Sequence, residues 1–441
     1  MASGPGKGSS PPRVALALAG GGPLGAIYEI GALCALDEAL QGINLNACTH
    51  YVGVSAGGFI AAGLANGMTP STLRDLFIAP PTAGTESFDP AWLMRPAYAE
   101  LAQRLAQLPG LGLQALWAWT AGRKPLISAL EKLSPALPTG LFSNEEVHRQ
   151  IARLFSQHGR TNDFRQLSHR LTLVATHLDS GEAAPFGRVG WDHVPISRAI
   201  AASAALPGLF PPVEIDGRHY VDGALKKTMH ATVALDEGVD VMFCLNPLVP
   251  FDATTPLPRT VSPTGTDKPI PPMVQGGFPA VMSQTFRSMI HSRLELGMKQ
   301  YETSYPNTAI VLIEPDHRDA ELYLANTFSY RQRRELAEHA YQQTRQLLRS
   351  QHSALNAKLQ QHGLSLDLAV LSDPGRRLLP TAAPAQPAKV PRKTRKRGAT
   401  SRLGRALDKL QTQVDGLQVA LDHGDLVPRR ATAQRPAKAA A

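Results

Sequence analysis

Gly53-Val54-Ser55-Ala56-Gly57 constrains this chain more than any other stretch. It follows the β-prone run Thr49-His50-Tyr51-Val52 and precedes the helix-compatible run Phe59-Ile60-Ala61-Ala62-Gly63-Leu64-Ala65. A strand, a sharp turn carrying serine and then a helix form a nucleophile elbow. The glycines leave room for a strained backbone, and the helix N-terminus sets its dipole and free N–H groups beside the hydroxyl. The pentapeptide also occurs by chance, so the reading depends on whether the chain supplies the other parts of a site.

A glycine cluster earlier in the chain is one such part. Arg13-Val14-Ala15-Leu16-Ala17-Leu18-Ala19 suits a buried parallel strand. It runs into Gly20-Gly21-Gly22-Pro23-Leu24-Gly25, and a helical pattern follows from Ala26 to Leu40. Such a loop gathers backbone N–H groups into an anion-binding nest. Read as G-x-G-x-x-G through Gly20, Gly22 and Gly25, it also fits a dinucleotide fingerprint, which needs an acidic residue at the end of the next strand. That strand ends in the elbow and carries no such acid, which weighs against a nucleotide.

The third part lies far downstream. Pro195 to Ala205 is a small-residue helix stopped by Leu206-Pro207-Gly208, and Phe210-Pro211-Pro212 makes a turn. A hairpin then runs through Val213-Glu214-Ile215, the turn Asp216-Gly217 and Arg218-His219-Tyr220-Val221 into Asp222-Gly223-Ala224. An aspartate at a strand end, backed by Gly-Ala, can approach a neighbouring site closely; an ordinary turn aspartate is the alternative. Serine becomes a nucleophile when a base takes its proton, and Asp222 can do so within hydrogen-bond reach of Ser55. The glycine-loop N–H groups would stabilise the oxyanion, each donor contributing about 10²–10³ in rate.

At this point the chain resembles the patatin-like phospholipase family. The resemblance runs through Gly20-Gly21-Gly22-Pro23-Leu24-Gly25, Gly53-Val54-Ser55-Ala56-Gly57, Ala201 to Pro212 and Asp222-Gly223-Ala224, with Val174 to Glu182 also similar. It covers about residues 13–245 and implies a three-layer α/β/α fold with a mainly parallel central sheet, a Ser–Asp dyad and lipid acyl hydrolysis. Carried across, Ser55 is the nucleophile and Asp222 the base. Gly20, Gly21, Gly22 and Gly25 line the oxyanion hole, Gly53 and Gly57 frame the elbow, and Gly223 and Ala224 complete the aspartate motif. The substrate implied is a lipid or other acyl ester, with no cofactor and no metal. Two departures stand out. Leu24 occupies a position where relatives usually carry Arg or Lys, and Thr228 and His230 stand where relatives often show Asn and Pro.

Two rivals follow from the same residues. His230 or His291, after Asp222 in chain order, would complete an α/β-hydrolase triad, although Ser55 follows only one strand–helix unit. A non-catalytic scaffold with this fold, tethered by its tail to nucleic acid or an anionic membrane, is the other.

Other segments carry weaker signals. Residues 69–141 form an irregular insertion with apolar pieces (Leu101 to Leu116) and Trp92, Trp117 and Trp119. This is either a lid or interfacial surface, or a helical insertion packing its tryptophans into the body. Ser143-Asn144-Glu145-Glu146 is a capping-box start for a helix to about Phe155, and Leu171 to Thr176 reads as a strand. Val239 to Leu245 is another strand, Pro247 to Pro272 a proline-rich surface loop, and Met282 to Tyr301 a helix. Ala309 to Ile313 reads as a strand and Tyr330 to Arg349 as a charged helix, so 246–375 forms the C-terminal part of the body.

Charge separates the body from the tail. Of the 45 Lys+Arg and 36 Asp+Glu in the 441 residues, 13 basic and 4 acidic residues lie in 389–441, giving 13 − 4 = +9 there. The remaining 32 basic and 32 acidic residues cancel. The Ala/Pro/Lys-rich segment 376–441 is expected to be disordered, with a short heptad helix at 401–423 through Leu403, Leu407, Leu410, Val414, Leu417 and Leu421. Binding to anionic membrane or nucleic acid, and any self-association, are assigned to this tail. Residues 1–12 lack a signal-peptide core, no window reaches the ~18 apolar residues of a membrane span, and three scattered cysteines (Cys34, Cys48, Cys244) suit buried thiols. The expectation is a soluble cytoplasmic protein with peripheral membrane contact.

Overall fold

Alternation along one strand organises the layers. In this computed structural model, which describes residues 11–79, 93, 95–120, 134–254, 272–324 and 330–379, β1 (Val14–Leu18) is wholly buried. It turns Val14, Leu16 and Leu18 to one apolar cluster and Ala15 and Ala17, with Ala19 just beyond, to another, as the two-residue period of a strand requires. Both faces of the sheet are therefore covered, and the chain is a three-layer α/β/α structure.

Among the described residues the sheet has eight strands. β1 lies between β3 (His50–Gly53) and β8 (Val241–Leu245), parallel to both, and β9 (Ala309–Ile313) is parallel beyond β8. β4 (Arg170–His177) is parallel to β3 on the other side. β5 (Ala183–Phe186), β6 (Val213–Ile215) and β7 (Arg218–Asp222) add antiparallel pairings at that edge. β2 (Leu40–Gln41) pairs with β10 (Ser365–Leu366) in a separate two-stranded ribbon. The β6–β7 turn has positive φ at Asp216 and Gly217, 51° and 72°, the pattern of a two-residue hairpin whose twist matches its strands.

On the larger-residue face of β1 lie α1 (Gly22–Ala39), α2 (Ala56–Ala65), α3 (Pro70–Phe77), α5 (Asn144–Phe155) and α6 (Ile196–Ser203). They follow α4 (Tyr98–Thr120) or precede it in the chain, and all but α4 contribute buried side chains to the main core. α7 (Thr232–Leu235) and α8 (Gly277–Ser304) cover the alanine face, where Leu235, Leu294 and Tyr301 meet Ala15, Ala17 and Val52. Past the short α9 (Ala320–Leu324), α10 (Tyr330–Ser350) packs on α1 so closely that a Cβ on Gly31 would lie 2.6 Å from the Ala337 carbonyl oxygen. α11 (His352–Gln360) and α12 (Leu368–Ser372) end the described chain.

Several boundaries move from their expected places. α1 begins at Gly22, not Ala26, because Pro23 has the fixed φ that suits a helix's first turn. The segment set apart as 69–141 opens with α3, whose Leu73, Leu76 and Phe77 are buried in the main core. An insertion therefore starts beyond Phe77. Within it α4 exposes Leu105, Leu113 and, at 66%, Trp117; Trp92 lies outside the described residues. At the other end Leu378 is buried and Gln342 donates to the Arg376 carbonyl at 2.8 Å, so the packed body extends past 376. The heptad segment and residues 255–271 of the proline-rich stretch also lie outside the described residues. Cys34, Cys48 and Cys244 are free, buried thiols. No described helix is long and apolar enough to cross a membrane.

Candidate active site

Strand register brings the elbow and the aspartate together. Leu173 of β4 pairs with Gly53 of β3 and with Phe186 of β5, and Ala175 pairs with Asp222 of β7 and with Ala184 of β5. A strand residue has one neighbour on each side, so β3 and β7 share one edge of β4. β7 enters antiparallel where β3 leaves off. The ends of the two strands, Gly53 and Asp222, therefore face each other across two residues of β4.

Ser55 occupies the turn between β3 and α2 with φ 54° and ψ −125°. That backbone region is rarely used by a residue with a side chain and costs on the order of 1–3 kcal/mol. Neighbours hold it there. The Ser55 N–H donates to Ser203 Oγ at 2.8 Å, and that hydroxyl donates to the Val174 carbonyl at 2.6 Å. Gly57 packs against β1: its N–H donates to the Ala19 carbonyl at 3.1 Å, and a Cβ would sit 2.3 Å from that oxygen. Gly53 is equally constrained, since its Cβ would lie 2.5 Å from the Gly58 Cα. These glycines are close-approach positions, not hinges.

Asp222 is 3% exposed and Ser55 8%. The Asp222 carboxylate accepts the Ala224 N–H at 2.8 Å, its own N–H donates to the Ala205 carbonyl, and its carbonyl accepts the Thr176 hydroxyl at 3.1 Å. Gly223 lets this turn close, because a Cβ there would lie 2.1 Å from the Val174 carbonyl oxygen. Burial pushes the Asp222 carboxyl up to about 6; the Ala224 N–H and the Ser55 hydroxyl oppose the rise. The Ser55 hydroxyl is thus the side-chain hydrogen-bonding neighbour of the carboxyl.

The glycine cluster adjoins the same point. A Cβ on Gly20 would lie 2.9 Å from Ser55 Cβ and 3.8 Å from Ala224 Cβ, so only glycine fits between Ser55 and the aspartate motif. The N–H groups of Gly20, Gly21 and Gly22 donate to no carbonyl among the described residues, and neither does that of Ala56, next to Ser55. Gly25 differs from the expectation: its N–H donates to the Gly21 carbonyl at 3.0 Å inside α1, which removes it as an oxyanion donor. Its missing side chain instead admits Pro247, 2.9 Å from where a Cβ would be. Leu24 packs against the main core.

Neither histidine of the rival triad reaches this pair. His230 is buried, its Nε2 lies 3.2 Å from the Gly223 carbonyl, and burial lowers its pKa to about 4. His291 faces Glu295 and Glu314 at 3.5 and 3.9 Å. Two shallow depressions, one of about 270 Å³ beside Tyr305 and His362 and one of about 280 Å³ along α8 and β9, include neither Ser55 nor Asp222. The first opens at the start of β9, whereas ligands of open α/β sheets bind beyond the carboxyl ends of strands, where Ser55 sits. Among the described residues no group of three His, Cys, Asp or Glu is placed to share a metal ion.

Ser203 is the contributor that sequence reading missed. Its block stands out in the sequence, but no role attaches to a serine among alanines until the 148-residue separation from Ser55 closes in space. Ser203→Ala is expected to cost about 1–3 kcal/mol of stability, the penalty of leaving a buried N–H unpaired. It should also lower kcat more than it changes KM; urea denaturation and steady-state kinetics read the two effects.

A family model described as patatin-like phospholipase matches residues 16–235. Among solved structures the chain is similar to VipD from Legionella pneumophila, at 19% identity over 78% of this chain and 68% of that one, with a TM-score of 0.34. It is also similar to the type III effector protein ExoU, at 16% identity over 80% of this chain and 53% of that one, again at 0.34. A structure of SpcU in complex with ExoU from Pseudomonas aeruginosa matches at 16% identity and a TM-score of 0.24, over 80% of this chain and 59% of that one.

Proposed function

This chain belongs to the patatin-like phospholipase family through residues 16–235, and on that footing we propose that it is a lipid acyl hydrolase working through Ser55 and Asp222. Asp222 takes the proton of Ser55 Oγ as that oxygen attacks the acyl carbonyl. The oxyanion so formed is met by the N–H groups of Gly21, Gly22 and Ala56, with Gly20 leaving the approach open. Protonated Asp222 then gives its proton to the departing alcohol, and an acyl-Ser55 ester remains. Water, losing a proton to Asp222, attacks that ester, and Asp222 returns the proton to Ser55 Oγ as the fatty acid departs.

The observation that carries this reading is the buried Asp222 carboxyl whose side-chain neighbour is the Ser55 hydroxyl. A carboxylate raised to about 6 is a stronger base than a free one and is still mostly ionised at neutral pH. Hydrolysis of acyl esters of graded chain length by wild type and Ser55→Ala tests it. A fall of about 10³-fold or more is expected on removing the hydroxyl; equal rates would favour the non-catalytic scaffold.

The tail is read separately. Its +9 charge, set against a neutral body, supports electrostatic attachment to an anionic surface. Removing residues 389–441 is expected to abolish salt-sensitive binding to anionic liposomes or DNA while leaving ester hydrolysis intact; unchanged binding after removal contradicts it.

A further inference from the structure

α8 lies outside the family-matched residues, yet it is fastened to both sides of the Ser55 site. On the aspartate side, Thr228 Oγ1 donates to the Ile290 carbonyl at 3.0 Å and Arg293 donates to the Leu225 carbonyl. On the glycine side, Arg287 donates to the Val249 carbonyl at 3.2 Å, and Gln284 exchanges two hydrogen bonds with the Phe251 backbone at 2.8 and 3.1 Å. The 247–251 segment that receives these bonds begins at Pro247, which packs on Gly21 and Gly25. The helix is therefore a fixed bridge between the two halves of the site.

Its inward side chains join an apolar cluster separate from the two main cores. Ile290 packs with Val54, Val174 and Ala224, and Phe286 and Leu248 pack on that group while remaining partly open to solvent. Val54 directly precedes Ser55. Ala224 lies two residues past Asp222 and faces Gly20, which also adjoins Ser55. Apolar packing thus runs unbroken from Val54, itself buried with Val174, Ala224 and Ile290, outward to Phe286 and Leu248, where the cluster meets solvent. An ester carbonyl held at Ser55 has two substituents, and this wall has the chemistry of an alkyl chain and not of a polar head group.

We propose that α8 forms the acyl-chain wall of the site and that Phe286, at its half-open edge, sets chain-length selectivity. This rests on the acyl-hydrolase reading above. A hydrophobic pocket discriminates by about tenfold or somewhat more per small change in apolar fit. Measured with nitrophenyl palmitate and butyrate, Phe286→Ala is expected to raise the palmitate-to-butyrate ratio of kcat/KM about tenfold, and Phe286→Trp to lower it. Met289→Ala, on the outward face of the same helix and 49% exposed, leaves the ratio unchanged. Phe286→Leu, a smaller change, should move the ratio in the direction of the alanine variant if that variant fails to fold. Ratios unchanged in the folded Phe286 variants, with hydrolysis still dependent on Ser55, overturn the assignment of α8. Wild-type hydrolysis that does not depend on Ser55 overturns the underlying reading instead, and the wall with it.

Discussion

Asp222→Asn is expected to remove nearly all ester hydrolysis and, at neutral pH, to make the protein more stable. General-base removal costs about 10²–10⁴ in rate, and the amide retains an oxygen that can accept the Ala224 N–H. The stability gain follows from burial. The folded-state pKa is about 6 against 3.8 in the unfolded chain, so between those values the folded protein binds more protons than the unfolded one. Stability therefore falls as pH rises through that window, and the whole penalty is present above it. Two pKa units correspond to roughly 3 kcal/mol, and a gain of about 1–3 kcal/mol at neutral pH is expected from asparagine, which is never charged. Urea melts of both proteins at acid and neutral pH measure it: the variant's advantage should appear as pH rises and vanish in acid. The same ionisation should make wild-type kcat/KM rise through about pH 6 to a plateau.

Gly57→Ala is expected to be severely damaging. The added Cβ would lie 2.3 Å from the Ala19 carbonyl oxygen and 2.6 Å from the Leu18 carbonyl. All of these are backbone atoms of the central strand or its immediate end and cannot swing aside. The Gly57 N–H bond to Ala19 and the strained Ser55 turn would be displaced together, at a cost of about 3–5 kcal/mol and with loss of activity. Gly58→Ala provides the contrast, since its tightest contact would be Leu173 Cδ2 at 3.3 Å, the end of a flexible side chain, with the Gly53 carbonyl at ordinary contact distances of 3.6 and 3.7 Å. Chemical denaturation should find Gly58→Ala far milder.

Legibility in the sequence tracked how local each signal is. β1, β8 and β9 were readable because central parallel strands are short unbroken apolar runs, β3 because a β-prone run leads into the serine turn, and the Asp216-Gly217 turn declared its hairpin. The layered fold followed from those strands and from the family resemblance. β2 and β10 were invisible because two-residue strands have no period to detect. α3 reads in sequence as part of an irregular insertion although Thr69 caps it, because one short helix between two turns gives little pattern. At the site, the elbow, the glycine cluster and Asp222 announced themselves through glycine and small-residue punctuation. The roles of Ser203 and Gly25 did not. The first depends on a hydrogen bond across the sheet, and the second on where α1 begins, which glycine content obscured. The apolar side chains of α8 read as ordinary helix-face residues until packing placed them beside Val54 and Ala224.

The central claim is that Ser55 is a nucleophile activated by Asp222 without a histidine. Covalent labelling with a fluorophosphonate ester, followed by mass mapping of the adduct, tests it most directly. A single adduct on Ser55 is expected in the wild type and none in Ser55→Ala. Labelling should be strongly slowed in Asp222→Asn and largely preserved in His230→Ala and His291→Ala. A folded wild type that gives no adduct on Ser55, or a folded histidine variant that loses it, would contradict the account.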